Sequence, residues 1–491
     1  MQERKLATPP GAEIESSHDR PLEPDAAAML GRLEAVVERV VQHVGSLATQ
    51  PGDGTVEAVS LARERREPLP ARATELDLLL AELFDVAVPA SYNTASPGYL
   101  AYIPGGGLFD AALGAFIAEA VNRYVGVFAA APVLSQLETN VVSWFGQIVG
   151  YPSTARGFLT SGGSLANFTA VVTARSERLG EQFLDGILYT SDQAHHSVLK
   201  AALLAGFPAR NVRALPTDSQ FRMLPRAVAD AVAADRAAGL RPFMIVASAG
   251  TTNTGAIDPL PSLAALAASE DLWLHVDAAY GGFFALTERG RESLEGLELA
   301  DSMVLDPHKS LFLPYGTGCV LVRDGEALRR AHTVRADYMP PMQEDPELVD
   351  FCEISPELSR PFRGLRAWLP IKLHGIGPFR DALQEKLELS DWIHDRLCEI
   401  EDVEIVAAPQ LSVTAWRWVP EGIDDGRLDD LNQELLRRIN ARQRVYLTGT
   451  RLAGRFSIRI CVLSFRTHIE RMEACAEDLR SALASMREEL T

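Results

Sequence analysis

Apolar residues recur at helical spacing near the start of the chain. Between residues 26 and 48 they lie three or four positions apart, and the stretch 73–88 has the same spacing, so both predict helices. The Pro- and Gly-rich segment 96–107 predicts a loop. We therefore expect a helical N-terminal segment over residues 25–108. A mobile tail over residues 1–24, rich in Pro, Glu and Ser, is expected before it.

The pattern changes from residue 157, where short β-rich runs alternate with helical ones. Several runs, such as FMIVASAG at 243–250, are continuously apolar, which is typical of parallel strands buried on both faces. The alternation indicates βαβ units. We predict an α/β domain over residues 109–372, with a mainly parallel sheet flanked by helices. The long helical stretch and short strands that follow predict a small α+β C-terminal domain over residues 373–491.

Composition and charge restrict the classes of function. The 491 residues are 47% hydrophobic and 23% charged, which is ordinary for a globular protein. The net charge of −19 argues against a nucleic-acid-binding surface, which needs clustered Lys and Arg. Five scattered cysteines without a CxxC pair predict no disulfide framework and no metal site. The polar N-terminus and the lack of a run of about 18 apolar residues predict a cytoplasmic protein without a membrane segment.

The segment DPHKSLFLPYG, residues 306–316, contains the most informative side chain. It places Lys309 directly after a histidine and ahead of a glycine-containing turn. About thirty residues earlier, LHVDAAYGG places Asp277 at the end of an apolar run. A lysine that condenses with an aldehyde and an aspartate that pairs with a ring nitrogen are what a pyridoxal phosphate (PLP) enzyme requires. Alone, Lys309 could be a surface lysine and Asp277 a helix cap or an ion-pair partner.

Three further motifs also follow predicted strands. TSGGSLAN, residues 160–167, opens a helix with glycines, which suits an anion such as phosphate but also fits a plain turn. His195 lies just beyond a strand end, where its ring could stack on a cofactor or meet a carboxylate, or simply cap a helix. Thr251 and Thr252 follow the next apolar strand. Because ligands bind at the carboxyl ends of parallel strands, the whole ordered set predicts a PLP site.

These motifs together resemble the group II PLP-dependent decarboxylases, which act on aromatic amino acids, histidine, glutamate or cysteine sulfinate. The resemblance runs from about residue 75 to the end of the chain and includes SPGYLAYIPGGG and ELSRPFRGLRAWLPIKLHG. It implies a PLP-dependent transferase fold of type I, similar to aspartate aminotransferase, and a homodimer with active sites at the interface. It implies decarboxylation of an L-amino acid, an aromatic one favoured, to the amine and CO₂. An aldehyde synthase on the same scaffold, or a decarboxylase of glutamate, cysteine sulfinate or diaminobutyrate, stays open.

The resemblance also implies roles for individual residues. Lys309 would bind PLP covalently, Asp277 would pair with its pyridine nitrogen, and His195 would stack on the ring and meet the substrate carboxylate. Thr252 would lie near the cofactor hydroxyl and that carboxylate. Asp306 stands where many members have Asn, and a carboxylate beside a phosphate dianion is repulsive unless it is protonated or turned away. The other expected cofactor contacts are Gly163, Ser164, Ala279 and His308.

Two more segments match the family. Residues 332–350 correspond to its mobile catalytic loop, and Tyr338 falls within about a residue of the tyrosine that returns a proton to the substrate. Related aldehyde synthases typically carry phenylalanine there, so Tyr338 favours simple decarboxylation. Gly105 stands where aromatic enzymes have threonine, which would leave more room and one donor fewer. The expected substrate contacts are Tyr102, Ile103, Pro104 and Gly105, together with His195.

Overall fold

The computed structural model describes residues 22–54, 57–334, 345 and 348–490. In these residues the chain forms two units, one of residues 22–47 and 57–91 and the other of residues 48–54 and 92–490. The first unit contains helices α1 (Ala26–Ser46), α2 (Ala58–Glu64) and α3 (Leu76–Ala81), and a π-helical turn at Glu82–Ala87.

The predicted first helix is confirmed as α1. It begins where Asp25 accepts a hydrogen bond from the backbone N–H of Ala28 at 2.8 Å, as an N-cap carboxylate does. Its apolar positions are largely exposed within this unit: Met29, Leu30, Leu33, Val37 and Val41.

The second unit contains a mixed sheet with the strand order β1-β7-β6-β5-β4-β2-β3, which has seven strands in the described residues. Strands β3, β2, β4, β5 and β6 pair in parallel, whereas β7 is antiparallel to both β6 and β1. The prediction of a mainly parallel sheet is therefore confirmed. The strands are β1 (Arg156–Thr160), β2 (Gly186–Ser191), β3 (Val212–Leu215), β4 (Arg241–Ser248), β5 (Trp273–Asp277), β6 (Ser302–Leu305) and β7 (Gly318–Val322).

Helices cover both faces of this sheet, which explains why its strands are continuously apolar. In β4, Ile245 packs into the hydrophobic cluster on one face and Val246 into the cluster on the other. The helices of this part are α4 (Phe109–Val121), α5 (Pro132–Ile148), α6 (Gly163–Arg178), α7 (His196–Leu204), α8 (Pro225–Ala237), α9 (Leu260–Ser269), α10 (Glu288–Ser293), α11 (Pro307–Ser310), α12 (Gly325–His332), α13 (Phe351–Ile354) and α14 (Gly364–His374).

The C-terminal part forms the α+β arrangement that the sequence predicts after residue 373, although the boundary itself stays a prediction. An antiparallel sheet with the order β10-β11-β9-β8 packs on three helices around Trp416 and Trp418, which are fully buried. These elements are α15 (Gly377–Cys398), β8 (Val403–Ala407), β9 (Val413–Trp418), α16 (Asp425–Asn440), β10 (Thr448–Leu452), β11 (Arg455–Cys461) and α17 (Ile469–Leu490). Across the described ranges, the helices lack the length and apolar character that crossing a membrane requires.

Candidate active site

The carboxyl ends of β1, β2, β4, β5 and β6 meet at one edge of the large sheet and surround a cavity of about 470 Å³. Parallel strands direct their carboxyl ends to the same edge, and β1 shares this direction because both β1 and β6 run antiparallel to β7. All nine residues predicted to contact the cofactor line this cavity. They are Gly163, Ser164, His195, Thr252, Asp277, Ala279, Asp306, His308 and Lys309.

Lys309 lies on the short helix α11 and points its amine into the cavity. Its Nζ is 3.0 Å from Asp306 Oδ2. Burial alone lowers the pKa of Lys309, but the carboxylates of Asp306 and Asp277 outweigh it, so the net pKa is raised above its ordinary value. The other carboxylate oxygen of Asp306, Oδ1, is buried and has no hydrogen-bond partner among the described residues. Asp306 thus faces the lysine amine.

Asp277 ends β5, and its carboxylate is held from two sides. Oδ1 accepts from the backbone N–H of Ala279 at 3.2 Å, and Oδ2 accepts from the Asn167 amide at 2.9 Å. His195 is the N-cap of α7, and its Nδ1 accepts from the backbone N–H of Ser197 at 3.3 Å. Burial lowers the pKa of His195, and the nearby carboxylate of Asp277 opposes this shift only in part.

A turn of small residues, 161–164, joins β1 to the N-terminus of α6. Gly162 has a φ of +152°, which other residues rarely adopt. A Cβ at Gly163 would lie 3.0 Å from Asp306 Oδ2, so this glycine keeps the turn open on the cavity side. Backbone N–H groups at a helix N-terminus suit a phosphate. The glycine turn, the Lys309 amine and the Asp277 carboxylate therefore fit PLP, whereas the Asp306 carboxylate does not favour the phosphate.

The turn that carries Thr252 is fixed by residues that sequence reasoning missed. Asp258 accepts from the backbone N–H of Ser248 at 2.7 Å and from that of Met223 at 2.6 Å, and its burial raises its pKa to about 6. Arg459 donates to the backbone carbonyls of Thr252 and Asn253. Asp258 follows the threonine motif directly, which was a usable signal, but Arg459 lies on β11 and nothing in the local sequence links it to the turn.

A second cavity of about 690 Å³ shares His195 and Thr252 with the first one. Tyr102 lines it and has a φ of +51°, an uncommon conformation for a side chain of this size. Tyr446 and Arg459 also line it. Of the four predicted substrate contacts at 102–105, the described lining of the two cavities includes Tyr102 alone.

Gly105 packs against the segment that carries the lysine. A Cβ at Gly105 would lie 2.0 Å from the backbone oxygen of His308 and 3.0 Å from that of Lys309. Real Cβ atoms do not come that close, so the space beside Gly105 is filled by backbone, and the expected extra room for a substrate is not there. Glycine at this position instead lets two chain segments approach closely. Tyr338 and most of the predicted catalytic loop lie outside the described residues.

Comparisons with known proteins agree with PLP as the cofactor. A family model, the pyridoxal-dependent decarboxylase conserved domain, matches residues 60–419. An aromatic-L-amino-acid decarboxylase from Bacillus atrophaeus is 32% identical over 438 residues, which cover 89% of this chain and 91% of the relative. The crystal structure of Oryza sativa TDC with PLP and tryptamine superimposes with a TM-score of 0.89 at 26% identity and covers 95% of this chain and 99% of that chain.

A 4-hydroxyphenylacetaldehyde synthase from Rhodiola rosea is also similar, with 25% identity over 468 residues, 92% of this chain and 94% of the relative. The predicted fold type I is confirmed, and so are PLP as the cofactor and a carboxy-lyase activity. The match over residues 60–419 places this chain in the pyridoxal-dependent decarboxylase family.

Proposed function

We propose that this decarboxylase acts on an aromatic L-amino acid and releases the amine and CO₂. The proposal rests on the presence of Lys309, Asp277 and His195 in one cavity, which shares His195 and Thr252 with a second, tyrosine-lined cavity. The similarity to aromatic-amino-acid decarboxylases supports the same substrate class.

The residues of the cavity have different roles in binding the cofactor and orienting the substrate. PLP, when bound, supplies a conjugated ring that accepts the electron pair left behind when CO₂ departs. Lys309 provides the amine that binds the aldehyde of PLP, and Asp277 keeps a proton on its ring nitrogen. His195 orients the ring and the substrate carboxylate. Gly163 and Ser164 bind the phosphate through the N-terminus of α6.

The second cavity supports an aromatic side chain over an acidic one. Tyr102 and Tyr446 supply ring surfaces in its wall. Arg459 could attract an acidic side chain, but its guanidinium donates to the backbone carbonyls of Tyr102, Thr252 and Asn253. Those bonds support a role for Arg459 in holding the wall.

The proposal is tested with the PLP-loaded protein and a panel of L-amino acids. CO₂ release is measured with tyrosine, tryptophan, phenylalanine, glutamate, cysteine sulfinate and diaminobutyrate at equal concentrations. Aromatic substrates should give the highest kcat/KM. Preference for glutamate or cysteine sulfinate would contradict the aromatic assignment while leaving the decarboxylase intact.

Tyr338→Phe should change the product. Without the hydroxyl that returns a proton to the α-carbon, dioxygen can oxidise the reacting carbon, so we expect less amine and new aldehyde, ammonia and hydrogen peroxide. Amine is measured by chromatography and peroxide by a coupled assay. Tyr151→Phe is the control, since its hydroxyl donates to the backbone oxygen of Ala300, away from the cavity. An amine-only product from Tyr338→Phe would contradict the role of Tyr338, and peroxide from the unaltered protein would favour the aldehyde synthase.

A homodimer is part of the proposal, and the face of α4 supports it. Five large apolar side chains of this helix are exposed, an unusual patch for a monomer. They are Phe109, Leu113, Phe116, Ile117 and Val121. Light scattering on the purified protein should give the mass of two chains, and a mass of one chain would contradict the dimer.

We also propose a cytoplasmic location, because all five cysteines are free, as in a reducing compartment.

A further inference from the structure

A buried hydrogen-bond network connects the two residues proposed to hold the cofactor ring. The amide nitrogen of Asn167 lies 2.9 Å from Asp277 Oδ2 and 2.9 Å from Ser197 Oγ. Ser197 Oγ in turn lies 2.7 Å from His195 Nδ1. Asn167 and Ser197 are almost fully buried, yet both border the cavity. One amide group therefore contacts Asp277 directly and His195 through a single hydroxyl.

The donors and acceptors on the Asp277 side can be assigned. A carboxylate only accepts, so Asn167 must present its NH₂ group to Asp277 and its oxygen to His275 Nε2, which lies 2.8 Å away. That oxygen only accepts, so His275 Nε2 carries a hydrogen. Burial lowers the pKa of His275 to about 4, so the ring is neutral and its Nδ1 accepts from Ser302 Oγ at 2.8 Å. Ser302 Oγ accepts from the indole of Trp273 at 2.8 Å.

The donors and acceptors between Asn167, Ser197 and His195 can be assigned in the same way. The second N–H of the Asn167 amide donates to Ser197 Oγ, which leaves the hydroxyl hydrogen of Ser197 free for His195 Nδ1. The backbone N–H of Ser197 also points to that nitrogen. Because burial lowers the pKa of His195, the ring is neutral near pH 7 and its one hydrogen lies on Nε2. A neutral ring with hydrogen on Nε2 can donate to an anionic substrate carboxylate.

We propose that Asn167 is a positioning residue that orients the Asp277 carboxylate and, through Ser197, sets the tautomer of His195. The inference rests on the proposed function, in which Asp277 meets the ring nitrogen of PLP and His195 lies against the ring. Groups that support a catalytic side chain in this way fix its orientation and its hydrogen positions together. Asn167 thereby supports both the side chain proposed to hold the ring nitrogen and, by a separate branch, the one proposed to orient the substrate.

Asn167→Asp tests the Asp277 branch, because it keeps the shape and the acceptor for His275 but places a second carboxylate against Asp277. At pH 8 we expect the affinity of the apoenzyme for PLP to fall about tenfold or more, as for a lost buried hydrogen bond to a charged group. The difference in PLP affinity between Asn167→Asp and the unaltered protein should shrink as the pH falls from 8 to 6, because the introduced carboxyl group can donate a hydrogen bond to Asp277 once it is protonated. Among the described residues, the other ionisable groups around the cavity are Asp277, His275, His195, His308, Asp306, Lys309, Tyr280 and Tyr315.

Ser197→Ala tests the other branch. It removes the hydroxyl between Asn167 and His195, keeps the longer contact from the backbone N–H of residue 197, and leaves Asn167 on Asp277. PLP affinity should therefore stay within about twofold while KM for the amino acid rises more than kcat falls. Thr169→Val is the control for both variants and lies on α6, the helix of Asn167; its buried hydroxyl donates to the backbone oxygen of Leu165. We expect it to leave PLP affinity and both kinetic constants unchanged.

Several results would overturn the proposal. Asn167→Asp could bind PLP as tightly as the unaltered protein at pH 8, or could lose the same affinity at every pH, as expected for a merely structural defect. Ser197→Ala could weaken PLP as much as Asn167→Asp does, which would contradict separate branches. If Asn167→Asp does not fold, as judged by circular dichroism, Ser197→Ala with unchanged KM is decisive against the tautomer role. Failure of the unaltered protein to bind PLP would instead contradict the proposed function.

Discussion

Replacing Lys309 with alanine should abolish both the visible absorbance of bound PLP and the release of CO₂. The Lys309 amine faces the cavity that the glycine turn and Asp277 also line. Without Lys309 the aldehyde of PLP has no protein amine to bind, so there is no lysine–PLP bond for the substrate amine to replace. We expect kcat to fall by about three orders of magnitude or more, as when other covalently acting groups are removed. Absorbance spectra and CO₂ release measure the two effects.

The control must separate chemistry from stability. Lys309→Ala leaves the buried Asp306 carboxylate without the amine 3.0 Å away, which by itself destabilises the fold. Combining it with Asp306→Asn removes that unpaired charge, so the double variant should regain melting temperature but not absorbance. Lys200→Ala, on the exposed side of α7, should behave like the unaltered protein. A Lys309→Ala protein that keeps its absorbance and turnover would refute the assignment.

Asp277→Asn should have the second-largest effect, because an amide cannot hold a proton on the ring nitrogen of PLP. The ring then draws electrons from the reacting carbon less strongly, so we expect kcat to fall about a hundredfold or more. PLP affinity should fall as well. PLP methylated on its ring nitrogen carries a permanent charge, so it should restore part of the activity of Asp277→Asn.

Asp301→Asn is the matched control for Asp277→Asn. Asp301 accepts from the backbone N–H of Leu274 at 2.8 Å, near the opposite end of β5, away from the cavity. Because Asp301 lies away from the cavity, its neutral replacement should alter stability rather than cofactor binding. Equal losses in Asp277→Asn and Asp301→Asn would indicate a general defect in β5, and a lack of rescue by methylated PLP would contradict the ring-nitrogen role.

The fold was largely predictable because the sequence patterns that indicate its strands and helices lie within short stretches of neighbouring residues. A strand buried on both faces must be apolar at every position, so runs such as residues 243–250 identified the parallel sheet. The grouping of the predicted site residues around one cavity was predictable for a related reason. Each lies at or just after the carboxyl end of a strand, and parallel strands bring those ends to one edge whatever the lengths of their connections.

The contacts that depend on pairing between distant segments were not predictable. Asn167 and Asp277 are 110 residues apart, and Asn167 and His275 are 108 apart. Composition and spacing carry no information on which amide hydrogen meets which acceptor. Gly105 shows the same limit, because only the tertiary structure reveals the backbone of His308 beside it.

The sequence by itself therefore indicated a PLP-dependent decarboxylase, through the order of the motifs around Lys309 and Asp277. The tertiary structure decided how those groups are held: Asp306 turned to the lysine, Asn167 placed between Asp277 and Ser197, and Gly105 packed against the lysine segment. The physical reason is that a side chain's type fixes what it can donate or accept, whereas packing fixes the partner it meets.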